Sequence, residues 1–371
     1  MIERDTTVNR YTSRGEWRLQ VIDRALAAPV PEPAALALVR RYTPLNSLEQ
    51  MILLSQAPTV DALESISHGQ VELAIQRALG RPWYPRELLR EARHDLRWLE
   101  ASDHHLLWMG DARYPDQLHR VFDAPAMLYV WGSLDALHRK TPGIAMVGTR
   151  HPDDHGRRGA FTLGREAAHY GFPVVSGLAL GIDAAAHRGA VAAGRGDYAV
   201  AVLGSGIDTV YPHRNREFAG AILDAGGVLV SEYPPGTPPR RYQFPARNRI
   251  IAGLSDALVL FQAPEDSGAL ITVEHGLDIG MTMLVHVSAA GWTGVKSLTE
   301  HTVQYVETMD HVVRILKEDA ILPRHWQMPE EAAVGDDEPY DRERLSLFGS
   351  VESPRSIEEW RHELQAAGGL Q

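Results

Sequence analysis

The sequence predicts an α/β protein built on a doubly wound, mostly parallel sheet, with a small all-helical region before it. From residue 143 onward, short uninterrupted apolar segments alternate with helical segments. This alternation is typical of parallel strands that are covered by helices on both faces. Glycine-rich turns follow several of the apolar segments. Such sheets bind ligands at the carboxyl ends of their strands, so these turns mark the expected site.

The first 105 residues are predicted to form a helical N-terminal domain. Apolar residues recur there at spacings of three and four, for example in EPAALALVRRY and PRELLREARHDLRWLEA. That spacing is the period of an amphipathic helix, and Pro, Gly, Ser and Thr separate one helical stretch from the next. Residues 106–142 follow as a connecting segment, which contains the strand-like run AMLYVWG.

The sheet domain is predicted over residues 143–320, and its strands lie in segments such as GIAMVGTR, DYAVAVLG and DALVLFQA. Residues 321–371 are predicted to be an acidic linker followed by a short helix. The helix prediction rests on Ser356 and Glu359, which have the spacing of a capping box, and on Gly368 beyond its end.

Composition limits the classes of function. The 371 residues include 48 acidic and 37 basic ones, for a net charge of -11, which argues against a surface coated in positive charge but allows a local basic groove. There is no cysteine, so disulfides and thiolate chemistry are excluded. No apolar run reaches the roughly 18 to 20 residues of a membrane span, and the N-terminus is polar. A cytoplasmic protein without membrane contact is therefore expected.

Three glycine-bearing turns are candidate phosphate contacts. Glycine has no Cβ, so its backbone N–H can approach a phosphate closely at the start of a helix. Their spacing matches neither the dinucleotide fingerprint nor the P-loop, and tight packing of strand against helix is an equal alternative for the first turn. Together at one edge of a sheet, however, they predict a ligand that carries phosphate. The candidates are Ser176, Gly177 and Gly181 in the first turn, Gly204 and Gly206 in the second, and Ser267 and Gly268 in the third.

Asp183 and His187 stand four residues apart on a predicted helix. They could be two metal ligands, but a local hydrogen-bonded pair is the favoured interpretation. The sequence has no G-x-S-x-G, no H-E-x-x-H and no Walker lysine. No catalytic residue, no metal site and no cofactor are predicted.

Arginines cluster around a predicted helix start in RRYQFPARNRIIAGLS, at Arg240, Arg241, Arg247 and Arg249. Cations near a helix N-terminus oppose the helix dipole, at a cost of roughly 0.3–1 kcal/mol each unless an anion or a carboxylate offsets them. Arg150 follows another predicted strand, where a guanidinium can bind phosphate through two hydrogen bonds. A solvated helix face and a salt bridge to a neighbouring loop are the alternatives. We expect an anionic ligand at these arginines.

These segments resemble the DNA-processing protein A family, also called DprA or Smf. The resemblance rests on GTR, VVSGLALGIDAAAH, AVLGSGIDTVYP and SGALIT, and most specifically on FPARNRIIAGLS. It covers roughly residues 106–288. The family's Gly-Ser-Arg is Gly-Thr-Arg here, with Thr149 before Arg150. The segment LVHVSAAGWTGVKSLTEHT departs from the family pattern, and the acidic tail shows no winged-helix module.

The resemblance implies an extended Rossmann-like domain that binds single-stranded DNA. It implies a recombination mediator that protects incoming DNA and helps to load a RecA-type recombinase, as in natural transformation, rather than an enzyme. Homodimers are usual in the family. It also implies that bases stack on Phe244 and Tyr242. The side chains that it places in or beside the DNA groove are Arg150, Arg240, Arg241, Phe244, Arg247 and Arg249.

A second hypothesis is a nucleotide-binding sensor or an N-glycosidic nucleotide hydrolase. The cytokinin-activating phosphoribohydrolases have glycine-rich phosphate loops on a similar sheet, with the hallmark P-G-G-x-G-T-x-x-E. The nearest segment here, EDSGALITVEHG, lacks the double glycine and has Glu274 two residues after Thr272 instead of three. The DNA-binding hypothesis is therefore preferred.

Overall fold

The computed structural model describes Asp23 and residues 27–328, apart from residues 102, 297 and 299–302. The chain divides into a unit of residues 1–336 and a unit of residues 337–371. Every described residue belongs to the first unit. The predicted C-terminal helix, most of the acidic linker and the first predicted helical stretch lie outside the described residues.

The described part of the N-terminal region is helical, as the apolar spacing predicts. Asn46 and Glu49 form a reciprocal capping box at the start of one helix, and Ser67 and Gln70 form another. These caps satisfy backbone N–H groups that a helix start leaves unpaired. The helices are α1 (Pro33–Arg41), α2 (Ser47–Gln56), α3 (Val60–Ser65), α4 (His68–Ile75) and α5 (Pro85–Leu99).

A nine-stranded, mostly parallel sheet forms the centre of the molecule and confirms the predicted fold class. Its order is β1-β2-β6-β5-β4-β3-β7-β8-β9. The β1–β2 and β2–β6 pairs are antiparallel, and all the other pairs are parallel. The strands are β1 (His104–Trp108), β2 (Met127–Gly132), β3 (Ile144–Val147), β4 (Val174–Ser176), β5 (Ala199–Val202), β6 (Val228–Ser231), β7 (Ala257–Leu260), β8 (Thr282–His286) and β9 (Gln304–Val306).

Helices connect the parallel strands and cover the apolar sheet. The strands β3, β5, β6 and β7 are buried along their whole length, as expected for a sheet with both faces covered. Within the described residues, no helix is long and apolar enough to cross a membrane. The remaining helices are α6 (Asp154–His169), α7 (Ile182–Ala192), α8 (Arg216–Asp224), α9 (Gln243–Gly253), α10 (Gly268–Asp278), α11 (Thr293–Lys296) and α12 (Met309–Glu318).

The predicted connecting segment contributes to the same sheet. Tyr129 of β2 pairs with Ser231 of β6, and Leu107 of β1 pairs with Leu128 of β2. Leu107, Leu128 and Tyr129 are fully buried. These two strands therefore extend the hydrophobic core and do more than connect the helical N-terminal region to the sheet domain. The division into domains at residues 105 and 142 stays a prediction.

The strand order reverses beside β3. The strands β4, β5 and β6 follow on one side of it, and β7, β8 and β9 follow on the other. In open parallel sheets, ligands bind at such a reversal, outside the carboxyl ends of the strands. The loop after β3, which carries Arg150, and the loop after β7, which leads to Ser267, both leave the sheet at that edge.

Candidate nucleic-acid interface

Helix α9 carries the arginine-rich motif, and it begins earlier than the sequence predicts. Its first residue is Gln243, whose side-chain oxygen accepts a hydrogen bond from the Arg240 backbone N–H at 2.6 Å. Arg247 and Arg249 therefore lie in its second turn, and only 5% and 7% of their respective surfaces are exposed. The expectation that they meet a ligand at a helix start does not fit this placement.

Arg249 is neutralised from within the protein. Its Nη1 and Nη2 donate to the two carboxylate oxygens of Glu232 at 3.0 and 2.7 Å, and its Nε donates to the backbone oxygen of Asp123 at 2.6 Å. Burial alone would raise the pKa of Glu232, but the Arg249 guanidinium holds that pKa below its usual value. The sequence analysis expects an anion or a carboxylate to offset the positive charge of Arg249, and the Glu232 carboxylate of this chain does so.

Arg247 is likewise held by internal acceptors. Its Nη1 donates to the backbone oxygens of Val202 and Gly177, the latter at 2.8 Å, and its Nε donates to Asn248 Oδ1 at 3.0 Å. Burial lowers the pKa of Arg247 to about 10, although nearby Asp183 opposes that shift. This arginine joins the ends of β4 and β5 to α9 through its hydrogen bonds, and its contact with phosphate stays a prediction.

The first two glycine turns also face inward. The Ser176 hydroxyl is buried and donates to the Met146 backbone oxygen at 2.6 Å. A Cβ on Gly177 would overlap the Arg247 guanidinium, and a Cβ on Gly204 would lie 2.7 Å from Phe244 Cδ1. The N–H of Gly206 is already used, since it donates to the Thr237 backbone oxygen at 2.9 Å. Close packing therefore accounts for Gly177, Gly204 and Gly206, and the phosphate interpretation of these positions is not supported.

Asp183 and His187 do not form the local pair that the sequence favours. Asp183 instead accepts hydrogen bonds from the N–H groups of Gly177 at 3.1 Å and Ala179 at 3.4 Å. His187 is fully buried, and that burial lowers its pKa to about 4. Among the described residues, no group of three or more His, Asp or Glu side chains could hold a metal ion.

The third turn differs because it is open. Ser267 caps α10, and its Oγ accepts from the Ala269 N–H at 3.3 Å. Gly268 is exposed, and no heavy atom lies within 4 Å of where its Cβ would stand. Gly181 is partly exposed, has a φ of +80°, and passes so close to Arg150 that a Cβ would lie 2.7 Å from the Arg150 carbonyl carbon. These two positions border the exposed edge.

A row of cationic and aromatic side chains extends from the end of β3. The exposed Arg150 has its Cζ 5.9 Å from the centre of the Phe244 ring. The ring centres of Phe244 and Tyr211 are 5.4 Å apart, and those of Tyr211 and His213 are 6.2 Å apart. Tyr211 and His213 were not predicted as site residues, although Tyr211 is the next-to-last residue of the motif AVLGSGIDTVYP. Only the fold brings Tyr211 beside Phe244, with His213 next to Tyr211.

Two further cations precede Phe244. Arg240, Arg241 and Tyr242 are exposed, with 67% of the Tyr242 surface accessible. Within the described part of the chain, no carboxylate forms an ion pair with Arg150, Arg240 or Arg241. We call the following set the cation–aromatic surface: Arg150, Tyr211, His213, Arg240, Arg241, Tyr242 and Phe244.

The N-terminal helices support the loop before this surface. Arg41 of α1 pairs with Asp95 of α5, and its Nη2 donates to the Pro235 backbone oxygen at 2.8 Å. Arg40 Nε donates to the Glu232 backbone oxygen at 2.5 Å. The helical region therefore fixes the loop that leads from β6 to Arg240.

Known proteins share this arrangement of strands and motifs. The Smf protein of Synechocystis is 46% identical over 170 residues, which are 44% of this chain and 41% of that protein's length. The solved DNA processing protein A of Streptococcus pneumoniae is 26% identical, with a TM-score of 0.61 over 77% of this chain and 98% of that one. The DNA processing protein A of Helicobacter pylori, which binds single-stranded DNA, is 26% identical. Its TM-score is 0.51 over 58% of this chain and 96% of that one.

A family model for DNA recombination-mediator protein A matches residues 105–317. The match begins at β1 and ends in α12, so it includes all nine strands and the whole cation–aromatic surface. It also extends through the segment after β8 that departs from the expected pattern. Because the match covers more than half of the sequence, this chain belongs to the DNA recombination-mediator protein A family.

Proposed function

We propose that this protein binds single-stranded DNA along the cation–aromatic surface. The observation that carries the proposal is the contact of Arg150 with Phe244, and of Phe244 with Tyr211, at the carboxyl edge of the sheet. Single-strand binding sites commonly combine aromatic rings, on which bases stack, with cations that follow the backbone. Both components are present here and both reach solvent.

The charges of the surface support the same ligand. Arg150, Arg240 and Arg241 are exposed cations in a chain of net charge -11. Arg247 and Arg249 are buried and hydrogen-bonded to internal groups, so we assign them to support of the site rather than to phosphate contact. The open turn at Ser267 and Gly268 lies at the start of α10, where backbone N–H groups favour an anion.

The wider role that we propose is recombination mediation. The family to which the chain belongs, and a relative that binds single-stranded DNA, support this role. In this role the protein protects incoming DNA and helps to load a RecA-type recombinase, as in natural transformation. In this proposal the protein acts as a cytoplasmic homodimer without catalytic chemistry, metal or cofactor. Residues 143–320 form its DNA-binding domain.

The proposal is tested by two substitutions in the central contact. Phe244→Leu keeps an apolar side chain against Gly204 but removes the stacking ring, and Arg150→Gln removes the cation beside it. Each should weaken oligo-dT binding by about 1–3 kcal/mol, the range for one lost stacked base or one charge-assisted contact. Only Arg150→Gln should reduce the salt dependence, by about 0.7 in the slope of log K against log salt.

The matched control for Arg150→Gln is Arg314→Gln, on α12, outside the cation–aromatic surface. The Arg314 side chain is 60% exposed, and among the described residues its ion-pair partner is Glu318 on the same helix. Its removal changes the net charge equally and should leave oligo-dT binding unchanged. Unaltered binding in both Phe244→Leu and Arg150→Gln would refute the assignment of this surface.

A further inference from the structure

Helix α5 carries a second exposed set of cations. Arginines at positions 86, 90, 93 and 97 follow one another at spacings of four, three and four. Residues at these spacings share one face of a helix. All four are exposed, and they lie opposite the buried face formed by Leu88, Ala92 and Asp95. We call these four residues the α5 arginine stripe.

The stripe is not explained by ion pairing along the helix. Arg86 has Glu64 at 3.5 Å and Arg90 has Glu87 at 3.8 Å. Within the described residues, Arg93 and Arg97 have no such partner. Like charges three or four residues apart destabilise a helix, so a stripe in which only two of four arginines have a carboxylate partner is unfavourable in a chain with more acidic than basic residues.

The stripe adjoins the loop that leads to the cation–aromatic surface. His94, on the flank of the stripe, has its Nε2 3.7 Å from Asp208 Oδ2. Asp208 Oδ1 accepts a hydrogen bond from the Gly236 N–H at 2.7 Å. Gly236 precedes Arg240 by four residues, and a chain of that length spans at most about 14 Å. The two cationic regions are therefore neighbours.

We propose that a single DNA strand leaving the cation–aromatic surface continues along the α5 arginine stripe. This inference rests on the proposed function and adds a second, backbone-only contact region in the helical N-terminal part. The stripe spans about 16 Å along the helix axis, at 1.5 Å for each residue. A strand with about 3.4 Å or more between phosphates would place no more than about five of them along that length.

The stripe offers four guanidinium groups, and the one ring between them in sequence is His94, whose Nε2 lies 3.7 Å from Asp208 Oδ2. The stripe would therefore contact phosphates and leave bases unstacked, which extends the site for long strands without adding sequence preference. A short strand that fills only the cation–aromatic surface would gain nothing from it. Strand length is thus the variable that separates the two regions.

The test compares the wild-type protein with Arg93→Gln/Arg97→Gln, using oligo-dT of about 6 and about 30 nucleotides. Glutamine has nearly the helix propensity of arginine, so the helix should persist. We expect about five-fold weaker binding of the long strand, a salt slope smaller by about 1.4, and unchanged binding of the short strand. Arg93→Lys/Arg97→Lys keeps both charges and should restore most of the affinity.

The control is Arg314→Gln/Arg324→Gln, which removes two exposed charges that lie outside α5 and outside the cation–aromatic surface. Equal losses for the short and long strands, no loss for either, or a loss confined to duplex DNA would overturn the inference. If the wild-type protein bound neither strand, the proposed function itself would fail. Normal short-strand binding without any gain from length would leave that function intact and refute only the stripe.

Discussion

Arg249 and Glu232 form a buried, bidentate ion pair that joins α9 to the end of β6. The Nη1–Oε1 and Nη2–Oε2 distances are 3.0 and 2.7 Å, and both residues are at most 7% exposed. The Glu232 backbone oxygen also accepts from Arg40 of α1. One residue thus connects the helical region, the sheet and the motif FPARNRI.

We expect Arg249→Ala to destabilise the protein by about 3–5 kcal/mol, because it leaves the Glu232 carboxylate buried without its partner. Arg241→Ala, at an exposed position eight residues earlier, should change stability by no more than about 0.5 kcal/mol. Urea unfolding at neutral pH measures both. Equal stability of the two variants would contradict a structural role for Arg249.

Burial of His187 predicts that acid destabilises the protein. Its pKa is about 4 in the folded protein and about 6.5 when exposed. The unfolded chain therefore takes up the proton first as the pH falls below 6.5, and stability is lost progressively down to about pH 4. Between pH 6.5 and 5 this one group should cost about 2 kcal/mol.

His187→Leu isolates that contribution. Burial also lowers the pKa of His286 to about 4, but the wild type and the variant both retain His286. The free energy of unfolding of the wild type should fall more steeply with acid than that of the variant. Parallel curves from pH 7 to pH 5 would show that His187 does not titrate differently on folding.

Two glycine substitutions separate packing from ligand approach. In Gly177→Ala the new methyl group must displace the Arg247 guanidinium from its carbonyl acceptors, so we expect a loss of about 1–3 kcal/mol. In Gly268→Ala the methyl group enters open space, and stability should stay the same or rise slightly. Thermal unfolding of the two variants measures the difference. A loss of the same size in both would refute the distinction between the inner and the open turns.

The repeating pattern made the fold predictable. Continuous apolar segments with glycine turns specify parallel strands, and the alternation with helices specifies a sheet covered on both sides. The sequence did not predict that β1 and β2 join the sheet, because the antiparallel pairing of Tyr129 with Ser231 connects positions about a hundred residues apart. Local periodicity carries no information about such a pair.

The candidate site was predicted only in part. Cations at a helix start indicated a need for an anion, but the sequence could not show whether Glu232 or a phosphate would supply it. Arg150, Arg240 and Arg241 are exposed, whereas Arg247 and Arg249 are buried and hydrogen-bonded within the protein, which favours a supporting role for these two. Tyr211 and His213 were missed because only the packing of the β5–α8 loop against α9 brings Tyr211 to Phe244, with His213 beside Tyr211.

Binding of fluorescent oligo-dT by the wild-type protein over a salt series, with duplex DNA and mononucleotides as competitors, tests the central claim most directly. We expect oligo-dT to bind much more tightly than duplex DNA, since stacking requires unpaired bases. The logarithm of its binding constant should fall linearly with the logarithm of the salt concentration. Mononucleotides should compete weakly. Equal affinity for duplex, no salt dependence, or full displacement by a mononucleotide would contradict single-stranded DNA as the ligand of the cation–aromatic surface.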